Sequence, residues 1–277
     1  MELDRLFAGR TGSHPLPDGE PAEFVVHDLG QLRVPSGRLA IADTSSLGSP
    51  VVVPVPPGDY RVELTNANVD EFFDVRQTRE AFVSLVLLES APAAVEPAAV
   101  EQATIQWRDE DTGGVAGIAG LHGVQMSQVS CLALSDAKAL ESAISGDPRS
   151  FYDTHLDPPD GGWFNMMDAP EAQPRGTVNT ELPDAAAGEN IILVIARELR
   201  YPIIATRDGE GRLAGVHVDM LVVGELSEAL GAFEGQSKFA QYELEDAMKL
   251  EVLAEEEAEE AARRERGLRG WLRRVLG

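Results

Sequence analysis

The chain has 277 residues, of which 43% are hydrophobic and 25% are charged, and its formal net charge at pH 7 is -24. This length and apolar content are sufficient for one large domain or two small domains with a core. A surface this acidic repels nucleic-acid phosphates, so we expect no nucleic-acid partner. The single cysteine, Cys131, excludes an intrachain disulfide, and its apolar neighbours predict a buried hydrophobic side chain.

The N-terminal stretch MELDRLFAGR carries acidic residues where a secretory signal needs a basic region followed by an apolar one. No segment of the sequence approaches the roughly 20 apolar residues of a helix that spans a bilayer. We therefore expect the protein to be cytoplasmic.

Short strand-like segments fill residues 23–107. They are EFVVH, RLAIAD, VVVPVP, DYRVELTN, AFVSLVLLE and ATIQW. Each is rich in β-branched or aromatic residues, and the region that contains them is punctuated by Gly, Pro, Asp and Asn. In DYRVELTN, Tyr60, Val62 and Leu64 alternate with charged residues, which predicts a strand with one buried face. The preceding Pro-Pro-Gly predicts a tight turn that starts this strand.

The second half of the chain contains further strand patterns separated by polar connections. The apolar run 124–134 predicts one strand, and Ser135 is expected to cap a short helix over DAKALESAI. Residues 90–102 and 157–188 predict connections, because they are rich in Pro, Gly and Ala or Asp. The strands NIILVIA, YPIIAT and LAGVHVDMLVV follow, and Asp208-Gly209 predicts a hairpin between the last two.

Beyond Gly224 the pattern becomes helical, and residues 237–276 contain no proline. We therefore predict an α+β, mainly β fold. Its parts are an antiparallel, sandwich-like domain over residues 1–224 and a helical C-terminal extension with a basic amphipathic end over residues 225–277.

The sequence lacks the strong motifs of catalysis and metal binding. It contains no phosphate-binding loop, no H-E-x-x-H, no C-x-x-C and no G-x-S-x-G. The glycines of TGGVAGIAG lack the strand–loop–helix order of a dinucleotide site and predict a flexible loop or a bulged strand. The histidines are scattered, and the aspartates between residues 153 and 168 do not follow EF-hand spacing. We therefore predict no metal site and no cofactor.

Four residues remain as candidates for an enzyme. His217 and Asp219 are two residues apart in a strand-like run, so they share one face. A satisfied polar pair or an exposed strand face is the simpler interpretation of these two side chains. Together with Asp43 and Asp208 they could serve a metal-dependent or acid/base hydrolase, provided that all four converge in one pocket with shifted pKa values.

The most informative local pattern is the last stretch, RRERGLRGWLRRVLG. Its apolar residues repeat at i, i+3, i+4, i+7 and i+8, which predicts one stripe of a helix. The stripe comprises Leu268, Trp271, Leu272, Val275 and Leu276. Six arginines accompany it, among them Arg269, Arg273 and Arg274, against one glutamate. The net charge of residues 263–277 is therefore +5, and the rest of the chain carries -29.

Three kinds of surface could bind this end of the chain. It could dock on the acidic body of its own or a sister chain, bind a groove of a partner protein, or bind an anionic membrane surface, peripheral to the inner membrane. Gly267 and Gly270 each weaken the helix by roughly 1 kcal/mol relative to alanine. We therefore expect the helix to order on contact.

The order SGRLAIAD, VPVPPGDYRVEL, DAKALE and YPIIATRDGEGRLAGVHVDMLVV resembles the bacterial domain-of-unknown-function family 4241 over residues 23–223. The matching positions are Gly37, Leu39, Asp43, Pro57, Gly58, Tyr60, Tyr201, Pro202, Asp208, Gly211 and Asp219. The resemblance implies a compact β-rich bacterial domain without an established activity. The family's W-G-D-G segment is replaced here by RELR, and Thr44 stands where the family has proline, so a function of that segment would be altered in this chain.

These observations favour a non-enzymatic intracellular binding protein, whose acidic β-rich body has an immunity-like or accessory role and whose basic end provides attachment. The alternatives are the hydrolase described above and a scaffold subunit that self-associates through residues 263–277.

Overall fold

The computed structural model describes residues 1–16, 19, 21–71, 75–107, 120–127, 130–144, 147–169, 174–183, 185–186, 188–227 and 230. All of them lie within the compact unit Met1–Gly235. The predictions made for the loop TGGVAGIAG and for the helical extension 225–277 with its basic end at 263–277 lie outside the described residues, apart from Gly120, residues 225–227 and Leu230.

Two antiparallel sheets form the framework. In chain order the strands are β1 (Gly12–Pro15), β2 (Pro21–Val34), β3 (Arg38–Asp43), β4 (Val51–Pro54), β5 (Gly58–Glu71), β6 (Val75–Val86), β7 (Ala94–Pro97), β8 (Ile105–Gln106), β9 (His122–Gln125), β10 (Cys131–Asp136), β11 (Thr177–Glu181), β12 (Asn190–Ile195), β13 (Arg200–Arg207) and β14 (Leu213–Asp219). The α-helices in the described residues are α1 (Ala137–Ala143), α2 (Pro148–Phe151) and α3 (Trp163–Asp168).

The larger sheet has the order β1-β2-β5-β6-β14-β13-β9-β8, and β7 pairs with the half of β13 that β9 leaves open. The smaller sheet has the order β11-β12-β10-β3-β4. The arrangement confirms the predicted mainly β, sandwich-like fold. No helix in the described part of the chain is long and apolar enough to cross a membrane.

The main core lies between the two sheets, because alternate residues of each strand point to opposite faces. In β3, Leu39 and Ile41 enter this core, whereas Ala40 and Ala42 pack against a second core that includes residues of α1, α2 and α3. A third core covers the outer face of the larger sheet, where Phe24 and Phe82 meet residues from both ends of the described chain. Those residues are Leu6, Phe7, Leu226 and Leu230.

A bulge in β2 links the sheets at one edge. The register of β2 against β5 shifts between Asp28 and Gln31, and Gly30 adopts a φ of 88° there. The Asn179 amide donates to the carbonyl of Leu29 at 2.9 Å, and the Asn190 amide donates to that of Gln31 at 2.7 Å. Two side chains of the smaller sheet therefore bind the backbone of the larger sheet.

The structure corrects five local predictions. Cys131 is only partly buried. The run 124–134 is not one strand, because β9 belongs to the larger sheet and β10 to the smaller one. The cap of α1 is Asp136 rather than Ser135, since the Asp136 carboxylate accepts from the backbone N–H groups of Lys138 and Ala139. Residues 90–102 contain β7, and residues 157–188 contain α3 and β11.

Candidate functional site

The four candidate catalytic residues lie in three places. Asp43 ends β3 in the smaller sheet, and Asp208 lies in the turn between β13 and β14. His217 and Asp219 lie in β14, on the face of the larger sheet that points away from the main core. All four side chains are buried.

Asp43 joins two loops. Its Oδ1 accepts from the backbone N–H of Ser45 at 2.7 Å and so caps the short 3-10 helix Thr44–Ser46. Its Oδ2 accepts from the backbone N–H and the hydroxyl of Ser127 at 2.7 and 2.6 Å. Oδ1 therefore fixes the turn that follows β3, and Oδ2 holds the connection between β9 and β10 beside β3.

Asp208 organises its hairpin turn. Oδ1 accepts from the backbone N–H groups of Glu210 and Arg212, and Oδ2 accepts from the Arg212 guanidinium at 2.7 and 2.8 Å. Burial acts to raise the pKa of Asp208, but the hydrogen bonds and charge of Arg212, with the Glu210 N–H, outweigh it and hold the pKa below its ordinary value. The predicted hairpin is thus confirmed, with this carboxylate at its centre.

His217 forms a buried polar cluster with two hydroxyl groups. Its Nδ1 lies 2.9 Å from Ser84 Oγ in β6, and its Nε2 lies 3.0 Å from Thr206 Oγ1 in β13. The imidazole occupies the space beside Gly215, where an added Cβ would lie 2.8 Å from Nε2. Burial lowers the pKa of His217 to about 4, so the ring is neutral at pH 7.

Asp219 has fewer partners. Its Oδ1 accepts from the backbone N–H of Leu221 at 2.8 Å, and burial raises the pKa of its carboxyl group to about 7, against the lowering effect of that hydrogen bond. His217 and Asp219 thus share one face, as predicted, and both are buried rather than exposed.

No hydrogen bond or ion pair within the described residues joins any two of the four candidates. Nor does that part of the chain contain three His, Cys, Asp or Glu side chains grouped to hold a metal ion. The arrangement that a hydrolase would need, with the four side chains converging in one pocket, is not what the geometry provides. Each candidate instead stabilises its own turn or strand pairing.

Among the described residues, open clefts lie at three further places. One of about 610 Å³ lies beside Thr44 and Tyr152, and another of about 610 Å³ lies between Ser36 and Glu189. A third of about 370 Å³ surrounds Arg61. The carboxylates beside this third cleft include Asp28, Asp59 and Glu89. None of the three is lined by a candidate catalytic residue.

Sequence reasoning missed the partners of these candidates. Ser84 and Thr206 carry no motif, and their shared face with His217 follows only from the strand pairing, in which His217 lies opposite Ser84 and Ile204. The RELR segment also has a structural role, because the backbone N–H groups of Arg197 and Glu198 donate to the Tyr201 hydroxyl at 2.6 Å. The predicted binding residues of the basic end lie outside the described residues.

The buried imidazole gives a pH-dependent expectation. Because the folded pKa of His217 is lowered, its stabilising contribution is fully present above pH 6.5 and is lost as the pH falls toward 4. We expect the free energy of unfolding of the wild type, relative to a His217→Asn variant, to fall by about 3 kcal/mol between pH 7 and pH 4. Urea unfolding at a series of pH values measures the difference, and a constant difference would contradict the assignment.

Comparisons of the chain with family models, with curated proteins and with solved structures found no match. The resemblance to family 4241 therefore stays a prediction that rests on the motif order.

Proposed function

We propose that this chain is a non-enzymatic binding protein of the cytoplasm, in which the acidic β-rich body and the basic end at 263–277 contact different surfaces. The observation that carries the proposal is the segregation of charge, with +5 in the last fifteen residues and -29 in all the others. A uniform charged surface would serve solubility alone, whereas two segments of opposite sign favour two distinct electrostatic contacts.

The body supports this proposal in its described part. Asp43, Asp208 and His217 are each engaged by several neighbours, so none of them is available as a nucleophile or base without breaking local structure. The strands enclose the main core. An immunity-like role, in which this acidic body engages a basic protein, is consistent with the charge.

The apolar stripe and the arginines define the partner of the basic end. Trp271 and Leu272 would anchor in an apolar groove, while Arg269, Arg273 and Arg274 would pair with carboxylates or phosphates at its rim. The favoured binding partner of the basic end is another protein or a second copy of this chain. An anionic membrane surface, peripheral to the inner membrane, is the other surface with this chemistry.

A truncation that ends at Ala262 tests the role of the basic end. We expect the full-length protein to retain a partner or lipid from fractionated host lysate that the truncated protein does not retain. Equal recovery by both proteins would contradict an attachment role. An oligomer that dissociates on truncation, measured by light scattering, would assign the basic end to self-association.

Two substitution sets separate charge from apolar contact at the basic end. The triple variant Arg269→Gln, Arg273→Gln, Arg274→Gln keeps the stripe, and Trp271→Ala with Leu272→Ala keeps the charge. If the surface is an anionic membrane, we expect the triple variant to bind vesicles of anionic lipid about 100-fold more weakly, since each arginine near such a surface contributes about 1 kcal/mol. Unchanged vesicle binding would exclude the membrane and leave the protein groove.

A further inference from the structure

Four buried aspartates in the described residues differ in how their carboxylates are satisfied. Asp43 and Asp136 each accept three hydrogen bonds, and Asp208 accepts two from backbone N–H groups besides its pair with Arg212. Asp219, with only 3% of its surface exposed, accepts a single hydrogen bond, from the backbone N–H of Leu221. Asp219 is thus the aspartate whose ionised form the fold stabilises least.

Asp219 lies where three parts of the chain meet. It ends β14 and lines a small cavity of about 20 Å³ together with residues of an N-terminal segment, here residues 1–7, and of a connector, here residues 220–227. The connector crosses the N-terminal segment closely, since a Cβ at Gly224 would lie 3.0 Å from the carbonyl oxygen of Arg5. The Glu2 N–H also donates to the Glu225 carboxylate at 2.8 Å.

The charged groups around this cavity come from two elements besides β14. The N-terminal segment provides the Met1 amine, Glu2 and Arg5, and the connector provides Glu225. On its own strand, the neighbouring titratable group is His217, which is held by Ser84 and Thr206. The strands packed against Asp219 add the side chains of Phe82, Val95 and Ile204, which do not titrate.

In this geometry, the packing around Asp219 favours the protonated form of its carboxyl group. A buried carboxylate that accepts one hydrogen bond lacks, in its ionised form, most of the hydration that it has in water, whereas burial of the neutral acid carries a smaller penalty. The desolvation penalty of the ionised carboxylate falls when the contact opens and water reaches it. The contact that would open is the one between the outer face of the larger sheet, the N-terminal segment and the connector.

We propose that Asp219 is a pH-sensitive latch that holds the N-terminal segment and the connector against the larger sheet when it is neutral and loosens them when it is ionised. The connector is the part of the described chain that leads into the C-terminal residues. The latch therefore ties the order of the connector to the pH of the medium.

Hydrogen exchange of the full-length protein at pH 6 and pH 8, corrected for the intrinsic rate at each pH, tests the latch. The amides of Met220 and Leu221 report it directly, because the first donates to the Ala81 carbonyl and the second to Asp219. With a folded pKa of about 7, the opening equilibrium of the connector should rise about tenfold between these pH values and level off above them. In the Asp219→Asn variant, which stays neutral, the opening should not change.

Two controls separate the latch from other pH effects. Glu225→Gln should leave the tenfold rise intact, because Glu225 bonds to Glu2 and not to Asp219. The carboxyl ¹³C signal of Asp219 in the wild type should titrate with a midpoint near 7. This measurement needs no variant, so the test remains even if Asp219→Asn fails to fold. A rise of equal size in Asp219→Asn, no rise in the wild type, or a carboxyl midpoint near 4 would each overturn the proposal.

Discussion

Replacement of Gly123 by alanine is expected to destabilise the protein by about 3 kcal/mol, near the upper end of the range for overpacking in a core. Gly123 lies in β9, where the ring of Trp107 covers it. A Cβ at this position would lie 2.5 Å from Cζ3 of Trp107 and would contact the carbonyl oxygen of Tyr201. Neither neighbour can yield easily, since Tyr201 is paired in the sheet and Trp107 is buried in the third core.

Gly209→Ala is the matched control for this substitution. Gly209 lies in the turn between β13 and β14, and a Cβ there would meet no atom within 4 Å. We expect a change of less than about 0.5 kcal/mol in the free energy of unfolding, as for other open surface positions. Urea unfolding of both variants measures the contrast. Equal stability of the two variants would show that β9 and Trp107 do not pack as described.

The second large effect is expected for Asp136→Ala, with a loss of about 3 kcal/mol. The Asp136 carboxylate is fully buried and accepts from Lys138 and Ala139 at the start of α1. Its other oxygen accepts from the backbone N–H of Ser36 at 2.8 Å. Removal of the carboxylate thus costs about 1 kcal/mol for the lost cap and about 2 kcal/mol for a polar group left without its partner.

Asp147→Ala provides the comparison for Asp136→Ala. Asp147 caps α2 through one hydrogen bond to the Arg149 N–H at 3.0 Å, and that contact is exposed. The expected loss is about 1 kcal/mol, the usual value for an N-cap alone. Asp136→Asn should recover part of the loss, because its amide oxygen can still accept from the helix. Losses of similar size at both caps, measured by urea unfolding, would contradict a bridging role of Asp136.

The sequence predicted most of the strands because the residue pattern of a strand is local to that strand. The alternation of Val62 and Leu64 with charged neighbours places those two side chains in the main core, and Asp208-Gly209 forms the turn of a hairpin. Both are local effects, since the pleat and the turn involve residues that are neighbours in the chain.

The sequence failed where one pattern has two structural solutions. An apolar run such as 124–134 has the same residue pattern whether it forms one strand or parts of two strands. Here the chain passes from β9 in the larger sheet to β10 in the smaller sheet. Asp43 and Ser127 hold that passage through hydrogen bonds between residues far apart in the chain. Such a pair has no fixed spacing along the sequence and produces no periodic pattern in it.

By itself, therefore, the sequence determined the fold class, the faces of its strands and the separation of the acidic body from a basic end, because composition and period-two alternation are local properties. Only the tertiary structure decided what the buried polar residues do. It placed Ser84 and Thr206 on either side of His217 and left Asp219 with one hydrogen bond. These pairings depend on which strands become neighbours, and that choice is made by packing of the whole core.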